Sequence, residues 1–113
     1  MAVKVNEDWL RTQGFYLYYE SDDKVRFYVM TFITSIDNWD SDTEIEYLSV
    51  RYHIRNARVE IILRDISLSE NKIIDDVVLD AKDIYTIRSF VTLVNVYLYI
   101  NDVPVTLVEP EEE

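Results

Sequence analysis

His53 is the only histidine and the chain has no cysteine, so any nucleophile–base pair or imidazole metal site would have to be built around Tyr52-His53-Ile54-Arg55. Serine-type catalysis needs such a base against the nucleophile. Strand alternation instead places His53 on the polar side of its segment, among arginines. Paired carboxylates are the other route to acid–base chemistry or a cation site. Asp22-Asp23 reads as part of a turn, and Asp75-Asp76 on a strand would point to opposite faces and fail to converge. Asp40-Ser41-Asp42-Thr43-Glu44 has the opening spacing of a calcium loop, yet Ile45 stands at the sixth position in place of glycine and Arg51 at the twelfth in place of glutamate. A glycine-rich phosphate cradle is excluded, because Gly14 is the only glycine. The expectation is a protein that is not an enzyme, with no catalytic residue, no cofactor and no metal.

Residue types suited to recognition are plentiful. Arg51, His53 and Arg55 on one predicted strand face Arg58, Glu60 and Arg64 on the next. Arginine on a β surface suits carboxylates, because its planar fork bonds two oxygens at once. This strip is one candidate partner-binding surface, unless Glu60, Glu44, Glu46 or the chain's own acidic end already satisfies it. Tyr16, Tyr18 and Tyr28, among nine tyrosines, are further candidates, since tyrosine buries area and keeps a hydroxyl for bonding. An alternative surface is acidic: Asp37, Asp40, Asp42, Glu44 and Glu46 could imitate a nucleic-acid backbone.

The charge balance constrains the partner. With 22 acidic against 11 basic residues the net charge is -11, which repels nucleic acid and anionic membranes. Direct nucleic-acid binding and membrane association are therefore not expected. Met1 to Leu10 carries neither the apolar run of a signal peptide nor a basic transit pattern, which points to a cytoplasmic protein. Small acidic, cysteine-free, tyrosine-dense chains also suggest a viral or phage gene product, located in the host cytoplasm or the virion.

The elements that must position these residues are mostly strands. Asn6 caps a short helix closed by Gly14. Phe15–Glu20 and Lys24–Thr34 read as a hairpin across Ser21-Asp22-Asp23; its second strand is apolar on both faces and unsuited to water on either. Residues 37–46 read as a solvated acidic loop. In Glu44–Arg55 the apolar phase slips at Leu48, which predicts a β-bulge near Leu48 and Ser49. Arg58–Ser67 follows as a strand, and β-branching favours a strand over Lys72–Leu79. Asp80 is the expected cap of the main helix, whose seam is Ile84, Ile87, Val91 and Val94. Tyr97–Ile100 and Val103–Val108 read as a hairpin across Asn101-Asp102.

These readings predict an α+β fold: an antiparallel β-sheet or half-barrel of 5–7 strands, with one main helix (about 81–95) packed on it and a short N-terminal helix. Residues 1–108 are expected to form a single globular β-rich domain, and 109–113 a disordered acidic tail. One helix covers one face of a sheet, so the second apolar face predicts self-association or docking. The functional expectation is a non-enzymatic protein-protein interaction or assembly module. The alternative is an acidic inhibitor that mimics nucleic acid and blocks a basic groove of a host or phage enzyme.

Overall fold

Alternating β-branched and aromatic residues dominate the middle of the chain, and they form five consecutive antiparallel strands. The computed structural model describes residues 3–20, 25–39 and 42–110, without the side chains of residues 19, 20, 25, 26, 38, 39 and 42. Helix α1 (Glu7–Thr12) precedes β1 (Tyr16–Glu20), β2 (Val25–Trp39), β3 (Asp42–His53), β4 (Arg58–Ser67) and β5 (Lys72–Ala81), and α2 (Ile87–Ile100) follows. The strands pair in the order β1-β2-β3-β4-β5, an open meander rather than a half-barrel. The α+β class is as expected.

The caps are set by local chemistry. Asn6 accepts from the Trp9 N–H through its side chain, satisfying a free amide of the first turn. At the other end of α1, Gly14 N–H donates to the Arg11 carbonyl and Phe15 N–H to the Leu10 carbonyl. This closure needs a left-handed residue, and Gly14 supplies it at φ +101°. Helix α2 ends in the same way: Asp102 N–H donates to Tyr99 and Val103 N–H to Leu98, with Asp102 at φ +58°. Asn101-Asp102 thus provides the expected positive φ, but in a helix cap and not a hairpin turn.

Three elements differ from expectation. Asp80 lies inside β5, and Thr86 caps α2 by accepting from the Ser89 N–H, so the helix runs through Tyr97–Ile100. Val103–Val108 forms no strand, because the Asn95 side chain serves as its backbone partner, donating to the Leu107 carbonyl at 3.1 Å and accepting from the Leu107 N–H at 2.8 Å. The predicted acidic loop at 37–46 is strand wherever it is described: Asp37 pairs with Glu44 and Trp39 with Asp42. Ser21-Asp22-Asp23 lies outside the described residues, as do the last three residues of the acidic end; Glu109 approaches Arg88 on α2 and not the arginine strip.

Helix α2 packs its Ile87, Phe90, Val91, Val94 and Leu98 seam onto one face of the sheet. Phe90, fully buried, meets Tyr52 edge-on at 5.1 Å, Trp9 edge-on at 5.7 Å and Phe15 at 5.8 Å. The sheet contributes Tyr28, Met30, Leu48, Val50, Tyr52, Val59 and Ile61 to this core. Tyr52 donates its hydroxyl to the Ile84 carbonyl at 2.7 Å, and burial, with Tyr85 nearby, pushes its pKa up to about 12.

Candidate functional site

The face of the sheet turned away from α2 is built from alternate residues, and the strand register assembles them into rows. One row runs Tyr16, Val29, Arg51, Glu60 and Asp80, and the next Thr31, Ser49, Ile62 and Val77. Beyond these come Ile33, Tyr47, Arg64 and Asp75, then Ile36, Ile45, Ile66 and Ile73, one isoleucine from each of four adjacent strands.

The predicted phase slip at Leu48 has an unexpected origin. Residues 44–53 of β3 pair with β4 without interruption, so there is no bulge at Leu48 or Ser49. The extra residue is Thr34 on β2, which donates to the Glu46 side chain at 2.7 Å, and β4 and β5 lose register near Ile61 and Ile62. The slip marks a reversal of polarity. Leu48, Val50 and Tyr52 of β3 face α2, whereas Ile45 and Tyr47, earlier in the strand, face the opposite way. The neighbouring strands reverse with it: Ile33 and Ile36 on β2, Ile66 on β4, and Ile73 and Val77 on β5 all lie on the outer face.

The outer half of the sheet is therefore amphipathic in the reverse sense. On the side of α2 it carries Asp37, Glu44, Glu46, Asp65, Glu70 and Lys72 around a groove of about 310 Å³. Burial and the neighbouring Glu46 carboxylate hold the Asp65 pKa above its ordinary value. On the other side, Ile33, Ile36, Ile73 and Val77 are each more than half exposed; Tyr16, on the same face but in the Val29 row, is 55% exposed.

The candidate residues divide accordingly. Arg51, His53, Arg58 and Arg64 share the outer face, but their polar groups are largely engaged within the chain. Arg58 clasps Asp80 with two bonds of 2.8 Å, and Arg64 clasps Asp75 at 2.7 and 2.9 Å. These forks hold the Asp75 and Asp80 pKa values below the ordinary carboxylate range. His53 bonds Glu60 at 2.6 Å and lies 5.1 Å from the Phe27 ring, so on the polar side of its strand it is nonetheless mostly buried, with 12% of its side chain exposed. Arg51 sits over the same Phe27 ring, its guanidinium carbon 5.1 Å from the centroid, with its Nε shielded and lacking an acceptor. Arg55 falls in the β3–β4 turn and leaves the strip.

Tyr16 and Tyr18 lie exposed on the outer face, as required of contact residues. Tyr28 departs from expectation: its parity sends it under α2, where it is 1% exposed and only its hydroxyl emerges to accept from Arg11 at 3.0 Å. Asp37, Glu44 and Glu46 converge on the groove, and the structure adds Asp65 and Glu70, which sequence spacing did not connect to them. Asp40 lies outside the described residues, and of Asp42 only the backbone is described. Among the described residues no cluster of histidine and carboxylates could hold a metal ion. Among them, too, no helix is long and apolar enough to cross a membrane. The isoleucine row was the feature missed in the sequence, although the slip at Leu48 was its signal. Comparison with known proteins finds no matching family model, no matching curated protein and no matching solved structure.

Proposed function

We propose that this protein is a non-enzymatic assembly module that works by burying the outer face of its sheet against another polypeptide. The observation that carries the reading is the isoleucine row, with Ile36 and Ile73 more than half exposed at its two ends and Ile33 exposed in the next row; Val77 and Tyr16 lie exposed farther along the same face. Large exposed apolar patches on small domains mark interaction surfaces. The arginine strip contributes shape more than charge, since Arg58 and Arg64 already hold their carboxylates.

A second reading is favoured by the acidic groove, where Asp37, Glu44, Glu46, Asp65 and Glu70 converge. Here the chain would occupy a basic groove of another protein as a nucleic-acid mimic. The two readings respond oppositely to salt, because screening weakens charge attraction and leaves apolar burial in place. Affinity capture from cell extract, washed at low and at high salt, separates them. The assembly reading expects partners retained at high salt by the native chain and lost by Ile36→Glu/Ile73→Glu. The mimic reading expects the reverse: loss at high salt, and loss on charge reversal at Asp37, Glu44 and Glu46. Retention of every partner by the isoleucine variant overturns the first proposal.

A further inference from the structure

We infer that the polypeptide covering the outer face is a second copy of this chain, stacked sheet on sheet across a two-fold axis; the inference rests on the reading of that face as an interface. Charge is the first reason. A chain of net charge -11 repels its own copies over most of its surface. The outer face is the exception: its described side chains set Arg51, Arg58 and Arg64 against Glu60, Asp75 and Asp80, and the charges cancel. The opposite side of the outer half, with Asp37, Glu44, Glu46, Asp65 and Glu70, cannot approach itself.

Area is the second reason. Strands β2 to β5, spaced ~4.8 Å apart and about ten residues long at ~3.3 Å each, present roughly 600–700 Å² in projection. Side-chain relief raises this toward the about 800 Å² per partner that a stable complex buries. The layout is compatible with an interface. Val29 and Ile62 are already desolvated, and the Arg64–Asp75 pair, which lies between the Ile62–Val77 and Ile66–Ile73 rows, is closed on itself, as is Arg58–Asp80 toward the end of the face, so neither leaves an unpaired charge to bury. A two-fold pairing needs one self-complementary surface, and aligned rows of isoleucine on two twisted sheets interdigitate with themselves.

Sedimentation equilibrium on the full chain from about 1 µM to about 1 mM, a range that brackets weak and moderate dimers, tests the inference. Hydroxyl-radical footprinting of the same samples locates the contact. A concentration-dependent dimer is expected, with Tyr16, Ile33, Ile36, Ile73 and Val77 protected as it forms. Ile36→Glu/Ile73→Glu should weaken it at least about tenfold, the cost of two buried charges, with an unchanged Tm at low concentration. Val77→Lys, on the same face, serves if that variant does not fold. A native chain that stays monomeric at the highest concentration overturns the second copy while the face remains testable by capture with the isoleucine variant. A dimer that persists in both variants, with protection elsewhere, overturns the inference and the reading of the face together.

Discussion

The half of the sheet beneath α2 and the half beyond it are built from the same kinds of residue, yet they present their apolar side chains on opposite faces. Beneath the helix, Leu48, Val50, Val59 and Ile61 point to α2 and are at most 1% exposed. Beyond it, Ile36 and Ile73 point the other way and are more than half exposed. Length accounts for the division. A helix of 14 residues spans about 21 Å, whereas a strand of 15 spans about 50 Å, close to the 55 Å long axis of the molecule. Helix α2 can seal only part of such a sheet. The lesson is that burial within the chain seals the apolar side chains of one half and leaves those of the other exposed.

The largest effect should come from breaking the covered half. Phe90→Ala removes the ring that Trp9, Phe15 and Tyr52 enclose, and should destabilise the protein by about 3–5 kcal/mol in urea unfolding. Ile36→Ala, in the open half, should change monomer stability by no more than about 0.5 kcal/mol. Equal losses at the two positions would erase the distinction between the halves. A smaller loss is expected within the covered half from Tyr52→Phe, about 1 kcal/mol, because it leaves the Ile84 carbonyl without its donor.

Protonation probes the open half. The folded pKa values of Asp75 and Asp80 are lowered by Arg64 and Arg58, so their contribution is present above the unfolded value and is lost as pH falls through the folded values. Asp65 acts in the opposite direction. Its folded pKa is raised, so its carboxyl favours the fold below the unfolded value, and that contribution is lost as pH rises through the folded one. Thermal unfolding across pH should therefore show Tm rising on mild acidification and falling once the two arginine-bound carboxylates protonate. Asp65→Asn should raise Tm at pH 7 by the equivalent of no more than about 0.5 kcal/mol and flatten the rising limb. An unchanged limb would mean that Asp65 and Glu46 do not repel in solution.

Legibility followed the range of the interaction. Asn6 and Gly14 were readable because a cap is satisfied within a few residues, and β-branching correctly favoured a strand over Lys72–Leu79, although β5 runs on through the expected cap Asp80 to Ala81. Asn101-Asp102 was readable as a site of positive φ but not as a helix end, since hairpin turns and helix caps use the same backbone conformation. Tyr28 was mistaken for a surface residue because composition does not say which face receives the helix. Arg58 and Arg64 were readable as a strip, whereas their partners, Asp80 and Asp75, come from a strand whose register no local pattern reveals.

By itself the sequence determined the α+β class, the caps of α1, the acidic balance and a composition with one glycine, one histidine and no cysteine, because each depends on residue type and near neighbours. Only the tertiary structure decided that Ile36, Ile45, Ile66 and Ile73 share one row and that the apolar face reverses where α2 no longer covers the sheet. The physical reason is that alternation gives each strand two faces but does not label them. The label comes from what packs above, and from registers that add up across four strands.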